Sequence, residues 1–135
     1  MWLCSKDEIN MNKCIKCKAK LVNANWNKSN QKIGSYICKD CDKKRKTNAR
    51  KKVRAEVIKA YGGFCKCCGE SEQAFLGIDH IDNTGYKHRK EVRSGSFYVW
   101  LKNNNYPTDN YQLMCHNCNL AKSIYGKCPH KKKKK

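Results

Sequence analysis

Downstream of Gly62-Gly63 the chain sets two short apolar runs among long polar stretches. Phe75-Leu76-Gly77-Ile78-Asp79-His80 has the length and make-up of a short buried strand, and Tyr111-Gln112-Leu113-Met114-Cys115 of a second. Gly85 to Asp109 between them is polar and basic, except for Phe97-Tyr98-Val99-Trp100-Leu101-Lys102, which predicts a short helix stopped by Pro107. His116 to Ile124 predicts another helix, carrying Asn119 and Lys122. Upstream, residues 43–60 predict a longer one. Val53, Val57 and Ala60 recur at helical spacing with Ile58 beside them, whereas the first half is almost wholly basic; Gly62-Gly63 ends it. Asn25, Asn27, Ser29, Asn30 and Gly34 predict turns within residues 11–42. Residues 1–10 carry no pattern and read as marginal or disordered. Lys131 to Lys135 is a basic low-complexity run, read as a disordered tail.

These elements make an α+β chain with little to bury. Only 39% of the 135 residues are apolar, against roughly 45–50% in ordinary globular domains. Small domains of this kind often need a metal or disulfides. The 11 cysteines point to which. Cys14-x-x-Cys17 and Cys38-x-x-Cys41 form one zinc-ribbon-like Cys4 set, and two such knuckles supply the four thiolates that tetrahedral zinc takes. Cys65-x-x-Cys68 and Cys115-x-x-Cys118 form a second, each pair beside one of the candidate strands. Two structural Zn2+ sites are therefore expected, both closed by four protein ligands and so not catalytic. Cys4, Cys67 and Cys128 are left over. Cys67 can exchange with Cys65 or Cys68 as a ligand, and Cys128-Pro129-His130 is half of a ligand set without its other half, so packing or capping is the expected role. His116 reads as a surface or knuckle residue. The resulting organisation is a zinc-binding unit at 1–42, a basic connecting helix at 43–61, a second zinc-holding domain at 62–128 and a basic tail at 129–135.

The opening Met1-Trp2-Leu3-Cys4-Ser5-Lys6-Asp7-Glu8 meets charge early and has no apolar run, so no secretory leader is expected. Reduced, metal-binding thiols fit the same compartment, the cytoplasm or a host's cytoplasm. No stretch is apolar enough for a membrane partner. The formal net charge is +19; two Cys4 zinc sites, each contributing −2, leave about +15. Such a field attracts polyanions, nucleic acid above all. Lys43, Lys44, Arg45, Lys46, Arg50, Lys51, Lys52 and Arg54 are expected to lie along a phosphate backbone, with Lys122 as a further phosphate contact and Trp26 and Tyr36 as possible groove contacts. A merely solvated linker is the plain alternative for the charge run. The tail reads equally as a nucleic-acid arm, an import-like patch or a foreign addition.

Two separated segments carry a resemblance. Phe75-Leu76-Gly77-Ile78-Asp79-His80-Ile81 and Asn110-Tyr111-Gln112-Leu113-Met114-Cys115-His116-Asn117-Cys118-Asn119-Leu120-Ala121-Lys122 resemble the HNH endonucleases. The hallmarks of that family are a strand ending in Asp-His, an Asn-Leu-x-x-Leu-Cys-x-x-Cys-Asn-x-x-Lys segment and a Cys4 zinc. The resemblance spans about residues 62–126, near half the chain, and is particularly to small free-standing proteins of phages and mobile elements. It implies a zinc-stapled ββα-metal domain, a hairpin followed by a helix with one divalent cation between. By position, His80 matches the general base and Asp79 a metal ligand. Asn110 matches the residue that holds the loop orienting the histidine, and Asn119 the third position, also a metal ligand. Asn119 stands where many members have His; a neutral amide favours Mg2+ or Mn2+ over Zn2+ or Ni2+ as the catalytic ion.

Residue chemistry runs parallel to the resemblance. Histidine near its ordinary pKa accepts a proton at neutral pH, and one carboxylate plus one amide, completed by water and phosphate, suits a hard cation. The implied reaction is hydrolysis of a phosphodiester in double-stranded DNA to 3′-hydroxyl and 5′-phosphate ends, one nick per protomer, with a monomer as the default state. His88 is a minor rival for the catalytic role and reads rather as part of a basic DNA-facing loop. Two other readings stand beside the nuclease: a non-catalytic zinc-finger protein that binds nucleic acid, and an RNA-directed protein.

Overall fold

A computed structural model describes residues 12–92 and 96–132. The expectations for residues 1–10, for Cys4 and for the last three lysines of the tail lie outside them. The chain divides into two compact units at Arg50/Lys51.

In the first unit a short helix, α1 (Lys28–Lys32), precedes a long one, α2 (Lys39–Ala60), which continues into the second unit. The core is small: Cys14, Leu21 and Cys38 are buried, with Trp26, Tyr36, Ile37 and Cys41 packed around them. Trp26 stacks on Tyr36 at 5.4 Å between ring centroids and donates its indole N–H to Ser35 O. Both aromatics thus take part in packing and remain half-buried. The turn at Cys14–Cys17 closes through Lys18 N–H to Cys14 O and Cys14 N–H to Ala19 O, each 2.8 Å, with Lys18 in the left-handed region at φ 62°. Helix α2 begins four residues before the expected 43. Asp40 and Asp42 lie in its first turn, where the helix dipole favours negative charge, so the basic run starts inside an established helix.

Helix α2 ends where Gly62-Gly63 predicts. Gly63 N–H reaches Ile58 O (2.9 Å) and Gly62 N–H reaches Lys59 O (3.0 Å), the paired bonds of a left-handed C-terminal cap. The second unit then runs through the Cys65–Cys68 turn and a 3₁₀ turn at Gln73–Phe75 into β1 (Leu76–His80). Helices α3 (Gly85–Glu91) and α4 (Phe97–Asn103) follow, then β2 (Tyr111–Cys115) and α5 (His116–Tyr125). β1 and β2 form a two-stranded antiparallel sheet, from Leu76 opposite Cys115 to His80 opposite Tyr111. β2 has the bounds the sequence predicts; Phe75, expected in β1, is exposed in the preceding turn. The core comprises Val57, Ile58, Tyr61, Leu76, Leu101, Leu113, Met114 and the buried cysteines. Arg54, grouped by sequence with the DNA-facing residues, donates from Nη2 to Gln73 O (2.8 Å) and Leu76 O (2.6 Å), pinning the start of β1 to α2.

Candidate metal centres and cleft

The Sγ atoms of Cys14, Cys17, Cys38 and Cys41 lie within 4.8 Å of one another, as do those of Cys65, Cys68, Cys115 and Cys118. Cys17 and Cys38 approach to 3.6 Å, as do Cys68 and Cys115, against a tetrahedral Zn–thiolate edge of about 3.8 Å. Backbone amides point at the sulfurs: Cys38 N–H at Cys14 Sγ, Cys67 N–H at Cys65 Sγ and Cys118 N–H at Cys115 Sγ, each at 3.4 Å. Burial pushes the Cys14 thiol up, but the amides of Cys38, Cys17 and Lys16 outweigh it and bring it down to about 6. Cys65 follows the same balance to about 7. Their neighbours go the other way: the Cys38 and Cys17 thiols hold Cys41 up at about 12, and burial raises Cys118. Four crowded thiols cannot all ionise without a cation between them, which is the chemistry of a zinc site. Both sets fit Zn2+, and the expected pairing of the knuckles is the one the fold assembles.

The fold also gathers residues that sequence left apart. Cys67, Cys128 and His130 come together with Cys118. Their spacing hides this, because one ligand is shared and another sits inside a knuckle.

At the other end of the sheet, Ile78, Asp79, His80, Asn83, Gly85 and Asn119 are among the residues lining a cleft of about 470 Å³. Asp79, His80 and Asn119 therefore share one cleft, two from β1 and one from α5; Asn110 is not among its lining residues. Asn110 instead ties down the loop after β1. Its carbonyl accepts from Ile81 N–H (2.9 Å), its Oδ1 accepts from Asp82 N–H (3.2 Å), and its Nδ2 reaches Thr84 Oγ1 at 3.4 Å. The Asp79 carboxylate is buried and accepts at Oδ2 from Lys122 Nζ (2.7 Å) and Gln112 Nε2 (2.8 Å). Lys122 Nζ also donates to His80 O (2.7 Å). Lys122, placed by sequence with the phosphate contacts, bridges the strand end and the carboxylate here.

The His80 ring stacks on Phe97 at 5.2 Å and meets Tyr111 edge-on at 4.9 Å. Its Nε2 lies 3.1 Å from His88 Nδ1. His88, expected in a loop, is buried on α3 with no partner for its Nε2 among the described residues and its ring against Trp100 at 4.4 Å. Gly85 is needed for close approach: a Cβ there would stand 3.1 Å from His80 Nδ1. Gln112, on β2 opposite Asp79, and Gly85 are participants that spacing did not single out, and His88, a minor rival by sequence, is brought to His80 by the folded connection between the strands.

On α2, Lys43, Lys44, Arg50, Lys51 and Lys52 are exposed. Arg45 and Lys46 are exposed too but each pairs at 2.7 Å with buried Asp42, whose carboxyl is held below its usual range by Lys46 first and then Arg45. Among the described residues, no helix is long and apolar enough to cross a membrane. Compared with known protein families, curated proteins and solved structures, the chain matches none.

Proposed function

We propose that the protein is a metal-dependent DNA endonuclease of HNH type that nicks one strand per protomer. The observation that carries the reading is the convergence of Asp79, His80 and Asn119 on one cleft, on a two-stranded sheet and the helix that follows it. Water attack on a phosphodiester needs a base, and His80 is the histidine lining that cleft. To take a proton on one ring nitrogen, neutral His80 must carry its own on the other. In this reading His80 Nε2–H is directed at His88 Nδ1, and the proton-accepting nitrogen is Nδ1. His88 is then a positioning residue, and Asn110 holds the loop that follows His80 through Asp82 and Thr84.

Asp79 and Asn119 offer oxygen donors of the kind Mg2+ or Mn2+ takes, and such an ion supplies charge stabilisation at the leaving oxygen. Lys122 offsets the Asp79 charge, and in this reading it also neutralises a bound phosphate. The exposed lysines and arginines of α2 supply sequence-independent affinity for the backbone.

One observation favours a second reading, a zinc-stapled binding module without chemistry. Asp79 is the one carboxylate among the lining residues, and Lys122 already neutralises it. Supercoiled plasmid with Mg2+, at low and moderate salt, separates the two when wild type is run beside His80→Ala. Open-circle product from wild type alone, with both proteins shifting DNA, supports the nuclease. Tight binding without nicking under any divalent ion supports the module. Equal nicking by both proteins removes His80 from the chemistry.

A further inference from the structure

Cys118 belongs to two tetrads. Its Sγ lies with those of Cys65, Cys68 and Cys115, and equally with Cys67 Sγ, Cys128 Sγ and His130 Nδ1, every atom of each set within 4.8 Å of the others. In the second set His130 Nδ1 stands 3.3 Å from Cys118 Sγ and 3.4 Å from Cys128 Sγ. Tetrahedral zinc with one imidazole and one thiolate has an S–N edge of about 3.5 Å. We infer that the second unit holds two zinc ions, not one, joined through the Cys118 thiolate, the second completed by Cys67, Cys128 and His130.

Local structure orients each donor. The Cys67 amide donates to Cys65 Sγ, so the Cys65–Cys68 turn serves the first ion with its backbone while the Cys67 side chain meets Cys118 and Cys128. Left-handed Gly126 (φ 73°) ends α5, and the 3₁₀ turn Pro129–Lys132 brings His130 back over Cys118. Cys118 and Cys128 are 1% and 3% exposed, so without an ion a crowd of thiols sits in the core. With two ions, six thiolates and one neutral imidazole give each zinc four ligands. The charge also balances well: two Zn2+ against six thiolates leave −2, the same as a single Cys4 site. Cys3His is an ordinary closed zinc set, so the second ion is structural. It fastens the chain beyond α5 to the knuckle before β1.

Metal content of the full chain, purified without added chelator, tests this. Native mass spectrometry and elemental analysis are expected to give three zinc ions per chain, one from the Cys14 set and two from the pair. The Cys128→Ser, His130→Ala double variant is expected to give two. In 113Cd-loaded wild type, two of three cadmium resonances should split each other through the shared sulfur. Two zinc ions per folded wild-type chain, with Cys67 and Cys128 alkylated under native conditions, overturns the second ion. So does a mass 2 Da lower from a Cys67–Cys128 disulfide. Three uncoupled cadmium resonances overturn the bridge. The wild-type count and coupling decide the matter even if the double variant does not fold.

Discussion

The residue that follows the second cysteine of each leading knuckle sits in the left-handed region: Lys18 at φ 62° and Gly69 at φ 82°. Glycine adopts that conformation freely, whereas lysine carries a penalty of about 1 kcal/mol. Replacing Lys18 with Gly should therefore raise unfolding free energy by about 1 kcal/mol. Gly69→Ala should lower it by a similar amount through backbone strain alone, since a Cβ there meets nothing within 4 Å. Denaturant melts of zinc-loaded protein read both. Gly85 differs, because there the cost falls on a neighbour. Gly85→Ala should displace the His80 ring by a few tenths of an ångström and cut nicking on the order of tenfold, with the melting temperature nearly unchanged. His88→Ala should cut it about 10- to 100-fold while DNA binding persists; equal loss of binding would make His88 a structural residue only.

At the scale of elements, the apolar pattern was a good guide where packing is apolar and a poor one elsewhere. β2 and the capped end of α2 were legible because Leu113 and Met114, and Val57 and Ile58, face the core. Helix α3 was not: among its described side chains the buried one is His88, a polar group that periodicity does not count. The start of α2 was hidden by Asp40 and Asp42, which look like part of a polar turn but suit a first helical turn. The basic half of that helix yields a separable prediction. Lys43, Lys44 and Arg50 replaced together by Ala should reduce the slope of log K against log salt by about 2.7, from roughly 0.9 per phosphate contact. Arg54→Ala should leave the slope nearly intact and lower stability instead, because its guanidinium bonds to Gln73 and Leu76 carbonyls.

For the whole molecule, metal should be a condition of folding. Each unit wraps its apolar residues around cysteines, and among the described residues of the first, Leu21 is the one buried apolar residue besides Cys14 and Cys38. Zinc-coupled folding contributes on the order of 10 kcal/mol in small domains. A strong chelator should thus abolish the cooperative melt and shift the emission of Trp26 and Trp100, and Zn2+ should restore both. Retained near-native ellipticity without metal would place the stability in the apolar cores. The two Cys4 sets were readable because Cys-x-x-Cys pairs announce themselves; the cleft was readable in its strand and helix residues and not in those contributed by the connection.

The antiparallel ladder joins positions far apart along the chain, Leu76 to Cys115 at one end and His80 to Tyr111 at the other. Strand pairing needs the segment between β1 and β2 to close, so Asp79 is expected to meet Gln112 and Lys122 late in folding, after helices that need only local contacts. The thermodynamic penalty for length is slight, since doubling a flexible connection costs only about 0.6 kcal/mol. Topology therefore acts on speed more than on stability. Residues inserted between α4 and β2, away from the cleft-lining Asn83, Gly85, Tyr86 and Phe97 and from His88, are expected to leave the same cleft, reached more slowly.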